Sequence, residues 1–135
     1  MHLKVSSSVW KAVTAHAKKE APYEACGYLA AKDGMVVSHY ELTNTDQAAD
    51  HFSMEPKEQF AAVKEMREQG LNLRAVYHSH PLTPARPSAE DIRLAHDPGV
   101  SYVIVSLAEN EVMIKSFRIR KGEIMAEAIE IIDAE

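Results

Sequence analysis

The chain has 135 residues, 46% of them hydrophobic and 26% charged, with 15 Lys and Arg against 20 Asp and Glu for a formal net charge of −5. That length suits one domain with a core of its own, so residues 1–135 are read as a single domain. The acidic balance and the lack of a Lys/Arg run argue against nucleic acid as a partner. No apolar run approaches the ~20 residues of a membrane span, and no apolar signal core opens the chain; a cytoplasmic protein with no membrane partner is expected. Cys26 is the single cysteine, which excludes an internal disulfide and a cysteine-rich zinc knot.

The elements follow one another closely, without repeats or linkers. Ser6 to Ser8 offer an N-cap, and Val9, Trp10, Val13 and Ala17 recur at helical spacing, so a first helix runs to about Glu20. Cys26–Lys32 and Met35–Leu42 read as a hairpin around Asp33-Gly34. Asn44–Asp50 is a polar loop, and His51–Met54 a candidate short strand. Pro56 opens a second helix, with Phe60, Val63 and Met66 on its core face, and Gly70 closes it. Leu71–Tyr77 is a strand. A loop with Pro81, Pro84 and Pro87 leads to a helix over Ser88–His96. The strands Ser101–Leu107, Glu111–Arg120 and Glu123–Ile132 complete a meander with turns at Glu109-Asn110 and Lys121-Gly122. Hairpins outnumber βαβ units, which points to an α+β protein with a mixed, mostly antiparallel sheet and helices packed on it.

The stretch His78-Ser79-His80-Pro81 carries the chemistry. Side chains alternate along a strand, so both imidazoles face one way and Ser79 the other. Two such nitrogens can share a zinc ion, and a catalytic zinc site has three protein ligands with a fourth position open. Asp91 is a suitable third ligand. Ser88 stands three residues earlier at a helix start and shares its face, where its hydroxyl could stabilise an oxyanion. Each part also has a plainer reading: His-x-His as an exposed or internally satisfied pair, and Ser88-x-x-Asp91 as a capping box. The two readings of Ser88 are compatible. Cys26 is read as a buried small hydrophobe, with a thiol near the metal as the alternative. His2, His16, His39, His51 and His96 have no second ligand at useful spacing. The stripes Phe60/Val63/Met66 and Tyr102/Ile104 are read as core.

His-Ser-His-Pro, seven further positions to Ser88, then Asp91, resembles the motif of the JAMM (MPN+) metallopeptidases. Pro22-Tyr23-Glu24-Ala25-Cys26-Gly27-Tyr28-Leu29 resembles that family's stretch bearing its catalytic glutamate. The resemblance covers most of the chain and is nearest the short prokaryotic members, without the insertions of the eukaryotic deubiquitinating ones. It implies a single MPN-type domain with cytidine-deaminase-like αβα layering. It implies one Zn2+ per chain on His78, His80 and Asp91, with Glu24 as general base and Ser88 supporting the tetrahedral intermediate. From spacing alone, Glu20 would compete with Glu24.

The resemblance further implies a zinc isopeptidase or peptidase that cuts after the C-terminal Gly-Gly of a ubiquitin-like sulfur-carrier protein. An extended tail could add beside an exposed strand edge. A peptidase of small peptides or amino-acid conjugates, and a non-catalytic MPN scaffold, are the alternatives. A homodimer is left open. Metallo-β-lactamase-type sites are excluded by Leu82 and Thr83, which stand where Asp and His are needed. Barrel amidohydrolases need ~250 residues, and zinc deaminases need a Pro-Cys-x-x-Cys segment that is absent.

Overall fold

The computed structural model describes residues 2–133. In chain order the elements are β1 (His2–Ser6), α1 (Ser7–Glu20), β2 (Cys26–Lys32), β3 (Met35–Leu42), α2 (Pro56–Glu68), β4 (Asn72–His80), α3 (Ala89–Leu94), β5 (Ser101–Ser106), β6 (Met113–Arg120) and β7 (Glu123–Ile132). Local chemistry explains most boundaries. Asp33 and Gly34 (φ 52° and 82°) and Lys121 and Gly122 (51° and 79°) place two successive left-handed residues in each hairpin turn, the twist that joins antiparallel strands tightly. Glu55 caps α2 by accepting from the Glu58 N–H at 2.8 Å, with Pro56 next in the chain. Gly70, at φ 72°, ends its C-terminal turn. Ser6 precedes α1 but makes no side-chain cap; its hydroxyl pairs with Ser8 instead.

The sheet is mixed, in the order β1-β3-β2-β4-β5-β6-β7, and closes on itself. β1 runs parallel to both β3 and β7, and β4 parallel to β5; the other pairs are antiparallel. The closing strand β1 was not expected from the sequence, although Leu3 and Val5 are buried with Lys4 exposed between them. Closure has two consequences. The cytidine-deaminase-like αβα layering is not simply reproduced, although helices do lie on both faces. Each described strand also has neighbours on both sides, so the free strand edge expected to receive a substrate tail is not offered as a whole strand.

Side-chain alternation divides the core in two. Leu29, Ala31, Ala75, Tyr77, Val103 and Val105 face α1 and meet Val9, Val13 and Ala17. Cys26, Tyr28 and Ala30 face the other way, toward Ala62 and Met66 of α2. Ile104, Phe117 and Ile119 continue beneath the segment before α3, where Ala85 packs. Tyr77, buried, bonds His16 Nδ1 of α1 at 2.8 Å. A Cβ on Gly27 would collide with the Tyr77 ring and the Tyr40 carbonyl; glycine lets β2 pass close over that ring.

Several expected elements shift. Phe60 is 75% exposed while Met66 is buried, so only the later part of that helical stripe is core. His51–Met54 forms a single bridge, Asn44 to Met54, not a strand. β4 continues through His80 instead of stopping at Tyr77, because β5 pairs with it as far as His80–Ser106. The third helix is shorter than Ser88–His96 and ends before Asp97-Pro98-Gly99. β6 starts at Met113 rather than Glu111.

Candidate metal centre

The final residues of β4 hold the histidines. His78 and His80 share the face of β4 that carries Val76. Cys26 of β2 and Ile104 of β5 are the register partners of His78. Ser79 points to the opposite face, where its hydroxyl accepts the Ala25 N–H at 2.7 Å. Its own N–H donates to the Ala25 carbonyl at 3.0 Å. This pair of bonds fastens the chain beside Glu24 to the strand that carries both histidines.

Asp91 reaches the histidines from the first turn of α3. Its Oδ2 lies 3.1 Å from His78 Nε2 and 3.1 Å from His80 Nε2, and the two nitrogens are 3.1 Å apart. Ligand atoms at ~2.0–2.1 Å from a tetrahedral zinc stand roughly 3.3 Å from one another. The observed triangle therefore fits one such ion with a fourth position left over. Two imidazoles and a carboxylate also match the ligand preferences of zinc. Among the described residues this is the one group of three or more His, Cys, Asp or Glu that could hold an ion together.

The surroundings orient each ligand. His80 Nδ1 bonds the Pro84 carbonyl at 2.9 Å. That bond makes Nδ1 the donor and leaves the Nε2 lone pair for a metal. The Phe52 ring stacks on His78, with centroids 4.7 Å apart. Ser88 and Asp91 form a complete capping box: the Asp91 N–H donates to Ser88 Oγ at 3.0 Å and the Ser88 N–H donates to Asp91 Oδ2 at 2.9 Å. The capping reading of Ser88 thus holds together with its place beside the triad, and its exposed hydroxyl still has a proton to donate.

Electrostatics distinguish the groups. Burial alone would raise the Asp91 carboxyl, but bonds from His78 and His80 outweigh it and hold it well below the usual carboxylate range. Burial lowers His78. Burial pushes His80 the same way, yet the bonds to Asp91 and to Pro84 leave it raised. Glu24 is 3% exposed, and its Oε1 has no hydrogen-bond partner. Burial raises its carboxyl to about 8; His80, Asp91, Asp50 and His51 are the charges that act on it. Glu24 thus lies within electrostatic reach of His80 and Asp91, on a main chain clamped from both sides. Its N–H donates to the Ala48 carbonyl at 2.8 Å and its carbonyl accepts from Asn44 Nδ2 at 3.1 Å.

Asn44 was not singled out by sequence reasoning. Buried, it also donates to the His51 carbonyl and accepts the Asp46 and Ser53 N–H groups through Oδ1. Its amide ties the 44–54 loop to the Glu24 backbone. Phe52 was missed as well; Asn44 stood in the polar loop and Phe52 in the candidate short strand His51–Met54, and neither context marks a site. Cys26 has no exposed surface, its thiol is pushed up to about 12 by burial, and it points to the Leu42 carbonyl. The buried-hydrophobe reading stands. Of the remaining histidines, His16 is satisfied by Tyr77, His39 pairs with Glu41, and His51 pairs with Asp46 and Asp50.

Residues 6–120 match the family described as prokaryotic homologs of the JAB domain, and the chain belongs to that family. Within it, this is a metallopeptidase of the JAMM type. The chain is 30% identical over 134 residues to a protein of Mycobacterium tuberculosis named CysO-cysteine peptidase, covering 97% of this chain and 92% of that one. It is 37% identical over 82 residues to a Thermus thermophilus protein named probable TtuB-protein conjugate cleaving protease, covering 60% of this chain and 55% of the other. The solution structure of protein DSY2949 from Desulfitobacterium hafniense superposes with a TM-score of 0.90 at 45% identity, over 99% of this chain and 94% of that one. Among the described residues no helix is long and apolar enough to cross a membrane.

Proposed function

We propose that this chain is a zinc-dependent peptidase that hydrolyses the amide bond after the C-terminal Gly-Gly of a ubiquitin-like, sulfur-carrier-type protein. In this reading His78, His80 and Asp91 hold one ion, Glu24 is the general base and Ser88 an oxyanion donor. Residues 1–135 act as one catalytic domain. The observation that carries it is a 3.1 Å triangle of ligand atoms, with a buried carboxyl in its electrostatic reach whose Oε1 has no partner. The names of the M. tuberculosis and T. thermophilus relatives support the substrate class.

Zinc in such a set supplies Lewis acidity, which brings the pKa of a water to about 7 and polarises a carbonyl oxygen. The chain's own groups do the rest. Glu24, a buried carboxyl whose Oε1 has no partner, takes a proton from the attacking water and returns it to the leaving amine. The clamp of Ala48 and Asn44 on its backbone fixes where that transfer happens. Ser88 donates to the carbonyl oxygen as it gains charge. A hollow of about 320 Å³, walled in part by Phe52, Met54, Leu94 and Tyr102, meets His78 and Asp91 and can seat the carrier's tail. This replaces the strand edge that closure of the sheet removes.

The test is to incubate the zinc-loaded protein with sulfur-carrier fusions extended past Gly-Gly. Shortening to Gly-Gly, abolished by a chelator and restored by zinc, is expected. If no fusion is shortened while zinc is bound, the substrate assignment is wrong. Equal cleavage of unrelated free peptides would move the reading to a small-peptide hydrolase. Failure to bind zinc at one per chain would move it to a scaffold.

A further inference from the structure

We propose that Arg86 recognises a free carboxylate on the leaving side of the scissile bond, so that the product released is a single amino acid. The inference rests on the hydrolase reading above and narrows its substrate. Two hollows meet the triad at different edges. The one walled by His78 and Asp91 also carries Glu90 and Asp97 and has no Lys or Arg in its lining. The other, about 430 Å³, is walled by His80 and Ser88, with Phe117 and Ile124 as its apolar side. Arg86 is the one Lys or Arg in its lining.

Arg86 stands on a stiff turn. Prolines at 84 and 87 restrict the backbone around it. The Pro84 carbonyl accepts both the Arg86 N–H at 2.8 Å and the His80 Nδ1–H at 2.9 Å. Arg86 is thereby indexed to a ring of the triad. Beneath it Ala85 is buried against Ile104, Phe117 and Ile119. Among the described residues no carboxylate pairs with its guanidinium, in a chain with 20 acidic and 15 basic residues. A planar fork of donors on a backbone so restricted, with no carboxylate partner among the described residues, suits bidentate binding of a carboxylate.

The two hollows thus differ in what they accept. A carboxylate over the first would meet Glu90 and Asp97, whereas an uncharged Gly-Gly tail would not be opposed there. A carboxylate over the second would meet Arg86. The substrate therefore lies with the carrier tail toward His78 and Asp91, and the departing residue toward His80 and Ser88. Water adds to the carbonyl carbon of the last glycine and the C–N bond breaks. The amine leaves with the proton returned by Glu24. The products are a carrier ending in a glycine carboxylate and one free amino acid. A longer extension would carry its terminal carboxylate past Arg86.

The experiment uses the zinc-loaded full chain and synthetic carrier-tail peptides ending in Gly-Gly-Leu, as the free acid and as the C-terminal amide. The readout is the ratio of kcat/KM for acid over amide. A ratio of about tenfold or more is expected, the scale of a hydrogen bond between charged groups. The ratio should fall toward one in Arg86→Gln and recover in part in Arg86→Lys. A ratio near one in the wild type, or one that Arg86→Gln leaves unchanged, overturns the proposal. If the wild type cleaves neither peptide, the carrier-tail reading falls on its own, and Arg86 is then decided by binding. Free leucine and leucinamide are titrated in turn while the Arg86 Nε–H resonance is followed by NMR. A shift with leucine but not with leucinamide supports the assignment; equal shifts, or none, overturn it.

Discussion

Among the described residues two glutamates, Glu24 and Glu127, are buried, and they are held in opposite ways. Glu127 on β7 is 5% exposed. It accepts from Ser101 Oγ at 2.5 Å and Ser116 Oγ at 2.8 Å, and from Arg118 and Arg74 at 3.3 and 3.4 Å. Burial works to raise its carboxyl, but those bonds outweigh it and leave it lowered. Glu24, 3% exposed, has an oxygen with no partner, and burial raises its carboxyl to about 8. The degree of burial is nearly the same; the partners differ. Glu127 is a charge clasped between strands β5, β6 and β7. Glu24 is a buried carboxyl with one oxygen left without a partner, within electrostatic reach of His80 and Asp91, which costs stability and suits proton transfer.

The comparison can be broken by substitution. The largest effect is expected from His80→Ala, which removes one of the three proposed ligands: zinc stoichiometry and turnover should both be lost. Retention of one zinc per chain would mean that the triangle is not the site. Glu24→Gln should keep zinc but lower turnover by about 10²–10⁴-fold, the range of general acid–base catalysis. Full activity in that variant would remove Glu24 from the base role. Ser88→Ala should lower kcat by about 10²–10³-fold and weaken the α3 cap by ~1 kcal/mol; a change in stability alone would leave Ser88 as a cap only. Glu127→Gln should do the reverse of Glu24→Gln. Stability in urea should drop by about 2–4 kcal/mol, at the lower part of the range for breaking a buried pair because both arginines are about one-fifth exposed. Zinc binding should persist.

The last effect is one of pH, and it has opposite sign at the two sites. With metal removed, the folded Glu24 still binds its proton between about 4.5 and about 8, where an unfolded chain has lost it. Its contribution to stability therefore falls as pH rises through that window, by a few kcal/mol at most. Glu127 is lowered, so its contribution is present above the ordinary glutamate range and is lost as pH falls through its own folded value. Denaturation midpoints of the metal-free protein and of Glu24→Gln should diverge as pH rises toward 8, with the variant becoming the more stable. Parallel curves would show that Glu24 is not held protonated.

Much of the site was legible before any fold was known. His78 and His80 share a face because a strand alternates, and Ser88 caps a helix that presents Asp91 because of a three-residue spacing. The Asp33-Gly34 and Lys121-Gly122 turns declared themselves through residues that tolerate positive φ. Glu24 was legible only through the family resemblance, since a lone glutamate before a strand carries no periodic signal. Phe60 misled because it sits at helical spacing on a face that the sheet does not reach.

By itself the sequence determined the local chemistry: which residues can turn, cap, alternate and ligate. Those preferences act over a few residues, and so they can be read from a few residues. The tertiary structure decided the rest. It set β1 between β3 and β7 to close the sheet, wrapped the Asn44 loop around Glu24, and laid Phe52 on His78. It also left Glu24 Oε1 without a partner while surrounding Glu127 with donors. Each of these outcomes depends on pairings between distant segments, whose register and burial arise only when the whole chain packs.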